Sequence, residues 1–170
     1  MLELINLGNH AAKKCVIHWE PVNIDNAKQL FLDRYGFQIS DMSELRGNYT
    51  VDYPGQNLLI EGVEDSEIEY ILQIGESNDN KIYIDFPVLY KLFIYTYREK
   101  EKERLIQIFN DKHPGEDIYI NFIEPPKFDF KMSISYNDML GNNYYKEYII
   151  KVDYVSPNND YFTLDVININ

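Results

Sequence analysis

Hydrophobic and polar residues alternate with a period of two along most of this chain, the mark of strands that bury one face. The clearest stretch is 128–136. Phe128, Phe130, Met132, Ile134 and Tyr136 share one face there, and Asp129, Lys131, Ser133 and Ser135 the other. Residues 144–155 repeat the pattern, with Tyr144, Tyr148, Ile150, Val152 and Tyr154 on one parity. Between them lies Asn137-Asp138-Met139-Leu140-Gly141-Asn142-Asn143. Asn, Asp and Gly tolerate left-handed backbone angles, so 128–154 reads as a long antiparallel hairpin. Further strands are expected at 2–6, 15–20, 57–61, 67–74, 81–86, 117–123 and 160–167. Within these, Ile68, Tyr70, Leu72 and Ile74 share a face, as do Cys15, Ile17 and Trp19.

Helical spacing is confined to two places. Residues 25–35 start at Asp25, which can cap a helix, and stop at Gly36, which can end one. Residues 87–110 open on Pro87, welcome in a first turn because it lacks a donor the helix cannot use there. Leu89, Leu92, Phe93, Leu105, Ile108 and Phe109 line one side, and the alternating charges of 98–104 form a solvated face or a loop. Residues 92–97 also suit a strand. Pro125-Pro126 is a rigid lead into the strand at 128. The pattern as a whole predicts a single domain over 1–170. It is a mainly antiparallel β-sandwich of about nine strands with one or two inserted helices.

Composition narrows the function. Sixteen Lys+Arg stand against 28 Asp+Glu, a formal net charge of −12. Such a surface is unsuited to gripping a phosphate backbone, so no direct binding of double-stranded nucleic acid is expected. One cysteine, Cys15, permits no internal disulfide, and the sequence opens on a strand pattern without an apolar leader. The longest apolar stretch, 87–97, contains Lys91 and is too short to span a bilayer. The expectation is a cytoplasmic domain, with tethering to a membrane through a longer native protein left open.

Candidate chemistry is sparse. The nucleophile-elbow, phosphate-loop and dinucleotide motifs are missing, so no catalytic residue and no cofactor is assigned. Cys15 and His18 are three apart on a strand and face opposite ways, and His10 and His113 add no ligand spacing, so no metal is expected. The densest acidic segment carries Glu61, Glu64, Asp65, Glu67 and Glu69, a surface suited to a basic protein partner. The fifteen tyrosines are the most distinctive feature. Tyrosine serves both cores and stacking platforms. On the hairpin, Tyr144, Lys146 and Tyr148 share a face and form the candidate ligand site, provided that part of the strand projects beyond the core. Lys127, Lys131 and Lys151 are the hairpin's other cations.

Three pieces carry a resemblance. The stretch Leu4 to Trp19, with Asn6-Leu7-Gly8-Asn9-His10-Ala11, resembles the N-x-G-N-G-x-A opening of a β-sandwich domain of uncharacterised prokaryotic membrane-anchored proteins. His10 stands where that pattern favours Gly. Ile134 to Tyr145 resembles the Y-x-D-x-x-G-x-x-Y hairpin of the same domain, and Ile84-Asp85-Phe86-Pro87 its middle step. The resemblance implies a sandwich attached to membrane helices. In architecture it is also similar to antiviral effectors whose β-domain senses a cyclic nucleotide. The functional expectation is therefore a non-enzymatic binding or sensing domain. The alternative is a stand-alone acidic inhibitor, an immunity protein or phage-encoded antagonist, that blocks a basic target.

Overall fold

The computed structural model describes residues 2–4, 11–36, 38–41, 48–53, 56–61, 64–71, 82–159 and 161–169. Within them are ten strands and two helices. The order is β1 (Leu2–Leu4), β2 (Ala12–Val22), α1 (Ile24–Tyr35), β3 (Gln38–Asp41), β4 (Asn48–Tyr53), β5 (Gln56–Glu61) and β6 (Glu64–Ile71). Then come β7 (Ile82–Ile84), α2 (Val88–Lys112), β8 (Asp129–Asn137), β9 (Asn143–Val155) and β10 (Phe162–Asn168). All pairings are antiparallel. A five-stranded sheet runs β10-β9-β8-β2-β6, a three-stranded sheet β3-β4-β5, and β1 pairs with β7. The ends of the expected 2–6 and 67–74 strands, at 5–6 and 72–74, lie outside the described residues, as does His10. No described helix is long and apolar enough to cross a membrane.

The five-stranded sheet has one apolar face. Cys15, Ile17 and Trp19 from β2, Phe130, Met132 and Ile134 from β8, and Ile150 and Val152 from β9 are all buried. A helix covers them. Leu89, Tyr90, Phe93, Ile94 and Tyr97 fall on one stripe of α2 and are buried. Tyr90 stacks on Phe130 with ring centroids 4.4 Å apart, and Phe93 meets Phe128 edge-on at 5.3 Å. From α1, Phe31 packs on Phe93 and Phe128. The three-stranded sheet also adjoins the helices, β3 beside α1 and β5 beside α2, and its Ile39, Tyr49 and Val51 join the same core.

The mainly antiparallel β character with two helices is thus as expected. The sandwich and the count of nine strands are not confirmed: among the described residues, α2 covers the apolar face of the five-stranded sheet. The reason is the apolar stripe of 89–97, whose helical spacing outweighs the strand propensity of its residues. The strand expected at 117–123 is reduced to a single bridge, Ile123 to Val155, with Ile120 and Ile123 anchoring an extended segment. Buried positions three apart do not fit strand alternation.

Two local devices shape the scaffold. In β2 the pairing shifts between Lys13 and Val16, and Lys14 takes a φ of 47°. This bulge resets the parity, so Ala12 and Cys15 both reach the core despite odd spacing. At the start of α1 the cap position belongs to Asn23, in left-handed conformation with no side-chain cap bond, rather than to Asp25. Asp25 instead sits in the first turn, where a carboxylate favours the helix dipole. Gly36 ends α1 with φ 70°, its N–H donating to the Leu32 carbonyl.

Candidate functional site

The expected hairpin forms, β8 against β9, with Tyr136 opposite Tyr144, Ile134 opposite Lys146 and Met132 opposite Tyr148. The turn is built on Asp138. Its Oδ1 accepts the backbone N–H groups of Leu140 and Asn142, at 2.8 and 2.9 Å. Its Oδ2 accepts the Asn142 amide and the Tyr144 hydroxyl. The Asn142 side-chain bond, with the others, holds the Asp138 carboxyl below the usual range. Gly141 supplies the positive φ, 89°.

This end of the hairpin projects past the buried core. Ile134 is buried, yet Lys146 opposite it is exposed, and Tyr144 keeps 42% of its surface. The Tyr136 and Tyr144 rings stack almost parallel, 5.1 Å apart at 13°. Tyr148 and Tyr136 both pack half-buried against the core, so Tyr144 and Lys146 are the exposed side chains of this face, with the half-buried Tyr136 ring stacked on Tyr144. Lys146 has no ion pair among the described residues. The β2 bulge adds cations at the same end: Lys13 pairs with Asn137, and Lys14 sits in the shift beside Tyr136. The other hairpin lysines lie elsewhere. Lys151 stands opposite Asp165 in the β9–β10 ladder, away from the turn, and Lys127 precedes β8.

Lys131 is committed to the sheet's second face, which the described helices leave uncovered. A polar ribbon crosses it. His18 Nδ1 meets Asp65 Oδ1 at 2.6 Å, and Lys131 Nζ contacts Glu20 and, at 3.3 Å, Glu147. Tyr145 donates to Glu147 at 2.6 Å, and the Ser133 hydroxyl lies 3.2 Å from the same phenol oxygen. The two carboxylates hold the Lys131 ammonium above its ordinary range, and Tyr145 with Lys131 holds Glu147 below its own.

Of the acidic segment, Asp65, Glu67 and Glu69 are exposed on β6, the outer strand beside β2. The side chains of Glu61 and Glu64 lie outside the described residues. Cys15 and His18 do face opposite sides of β2, Cys15 buried in the core, where burial pushes its thiol pKa up.

One cluster escapes the sequence. Glu101 is 4% exposed, inside the charged stretch of α2. Its Oε1 accepts Arg34 Nη1 and the Tyr35 hydroxyl, each at 2.8 Å, and its Oε2 accepts Nε and Nη2 of Arg104 at 2.9 and 2.7 Å. Burial pushes this carboxyl up, but the bonds from Arg104, Tyr35 and Arg34 outweigh it and leave it below the usual range. Burial likewise pushes the Tyr97 phenol up to about 12. The cluster fastens α1 to α2. Its one sequence signal is spacing: Glu101 continues the Ile94–Tyr97 stripe by four residues.

No family model, curated protein or solved structure matches the chain.

Proposed function

We propose that this chain is a non-enzymatic binding or sensing domain that takes a flat anionic ligand, of the cyclic nucleotide class, at the projecting end of the β8–β9 hairpin. The observation that carries the reading is the stacked Tyr136–Tyr144 pair with exposed Lys146 beside it. Aromatic faces stack bases, and a cation answers the phosphate. A net charge of −12 makes anion binding costly unless cations gather locally; Lys146 stands on the face of the tyrosine pair, and Lys13 and Lys14 lie at the same end of the sheet. On the resemblance in 4–19 and 134–145, the domain serves as the part outside the bilayer of a membrane-associated prokaryotic defence protein. Its site is cytoplasmic. Calorimetric titration with a panel of cyclic di- and trinucleotides tests the site. Binding by wild type that weakens about tenfold in Lys146→Ala supports it. No heat with any member, or equal affinity in both proteins, overturns it.

A second reading rests on β6. Asp65, Glu67 and Glu69 are exposed along an outer strand, an arrangement suited to a basic protein partner. As an acidic inhibitor, the protein would associate at a rate that falls steeply with salt, because steering is screened beyond a Debye length. Stopped-flow association with a basic target at two ionic strengths measures this. A rate indifferent to salt removes the reading.

A further inference from the structure

Asn26, Leu30 and Arg34 are four residues apart on α1 and so form one stripe, about 12 Å long at the helical rise. That stripe faces Glu124-Pro125-Pro126-Lys127, with Tyr97 of α2 alongside, and together they line a cleft of about 330 Å³. The volume is at the small end of the range of roughly 300–1,000 Å³ typical of ligand sites. Leu30, Pro125 and Pro126 supply the apolar part of the lining. Its cations are Arg34 and Lys127, and Glu124 is the acidic residue of the lining.

The two cations are available to a ligand for different reasons. Arg34 Nη1 is fixed by Glu101, which orients the guanidinium, yet the side chain stays 49% exposed. The single charge of Glu101 is shared with Arg104, so Arg34 is only partly neutralised. Lys127 is exposed and has no ion pair among the described residues. The Tyr97 hydroxyl is occupied by the Glu124 carbonyl at 2.8 Å, which holds the wall in place.

We infer that this cleft binds a small organic carboxylate with an apolar body. A guanidinium held at one nitrogen still offers donors matched to a carboxylate. A bare phosphate would leave the part-exposed Leu30 and Pro125 wet, whereas a hydrocarbon body covers them, so the lining favours an organic acid. The site is separate from the hairpin end and stands or falls independently of it.

The probes are phenylacetate, its neutral analogue phenylacetamide, and inorganic phosphate, followed by amide chemical shifts of the whole chain. Phenylacetate is expected to give saturable shifts at Asn26, Leu30, Arg34, Tyr97 and Lys127, with affinity about tenfold or more above phenylacetamide. Arg34→Gln is expected to lose about tenfold, and Lys127→Gln, which disturbs no described contact, severalfold. Equal binding of acid and amide, equal binding of phosphate, unchanged affinity in Lys127→Gln, or no saturable shift in the cleft would each overturn the inference.

Discussion

Glu101 shows how one side chain can join two elements. Its carboxylate draws in Arg34 and Tyr35 from α1 and Arg104 from α2. Glu101→Gln removes the charge but keeps the shape, and should cost about 1.5–3 kcal/mol, the scale of hydrogen bonds to a charged group. Because the folded carboxyl sits below its ordinary value, its contribution is present above the unfolded pKa of about 4.3 and is lost as pH falls through the folded one. Urea melts at pH 7 and pH 3 should therefore show the gap between wild type and variant closing in acid. A gap of constant size would mean that charge is not what the cluster contributes. In the core, Phe130 is 1% exposed and stacked on Tyr90, and Phe130→Ala should cost about 3–5 kcal/mol. Phe130 was legible from alternation alone. Glu101 was not, because a carboxylate in a run of mixed charge looks solvated until the partner helix is in place.

At the scale of elements, the hairpin turn rests on one carboxylate and one glycine. Gly141 has φ 89° and open space where a Cβ would stand, so Gly141→Ala carries a backbone penalty only, about 1–2 kcal/mol. Asp138→Ala should leave the β8–β9 pairing intact while speeding amide exchange at Leu140 and Asn142, whose N–H groups it accepts. Exchange unchanged at both would show that the turn holds without the side chain. The hairpin and α1 were readable because each has a single period over many residues, whereas α2 was read only in part: 92–97 suits helix and strand alike, and 98–104 reads as a helix face or a loop, until the packing of Phe93, Ile94 and Tyr97 makes 88–112 one helix. Strands β3 and β4 were not read. β4 does alternate Tyr49, Val51 and Tyr53, but it is short and polar between them. The β2 bulge hides the same way, since a positive φ at Lys14 changes parity without leaving a glycine to mark it.

For the whole molecule, sequence alternation reveals which faces are apolar but not what covers them. Tyr90 and Phe93 meeting Phe130 and Phe128 make that cover a helix. The opposite face carries the His18–Asp65 and Lys131–Glu147 ribbon, and the hairpin runs past the helical layer to expose Tyr144 and Lys146. The candidate site was half legible. Parity grouped Tyr144, Lys146 and Tyr148; packing leaves Tyr144 and Lys146 exposed, holds Tyr148 half-buried, and adds Tyr136, itself half-buried, as the ring stacked on Tyr144. The most direct test of a ligand at that end is an amide-shift titration of the chain with a cyclic dinucleotide at fixed, low salt. The expected result is saturable shifts centred on Tyr136, Tyr144 and Lys146 and spreading to Lys13 and Lys14, abolished in Tyr144→Ala. Shifts centred elsewhere, or saturation unaffected by Tyr144→Ala, would contradict it.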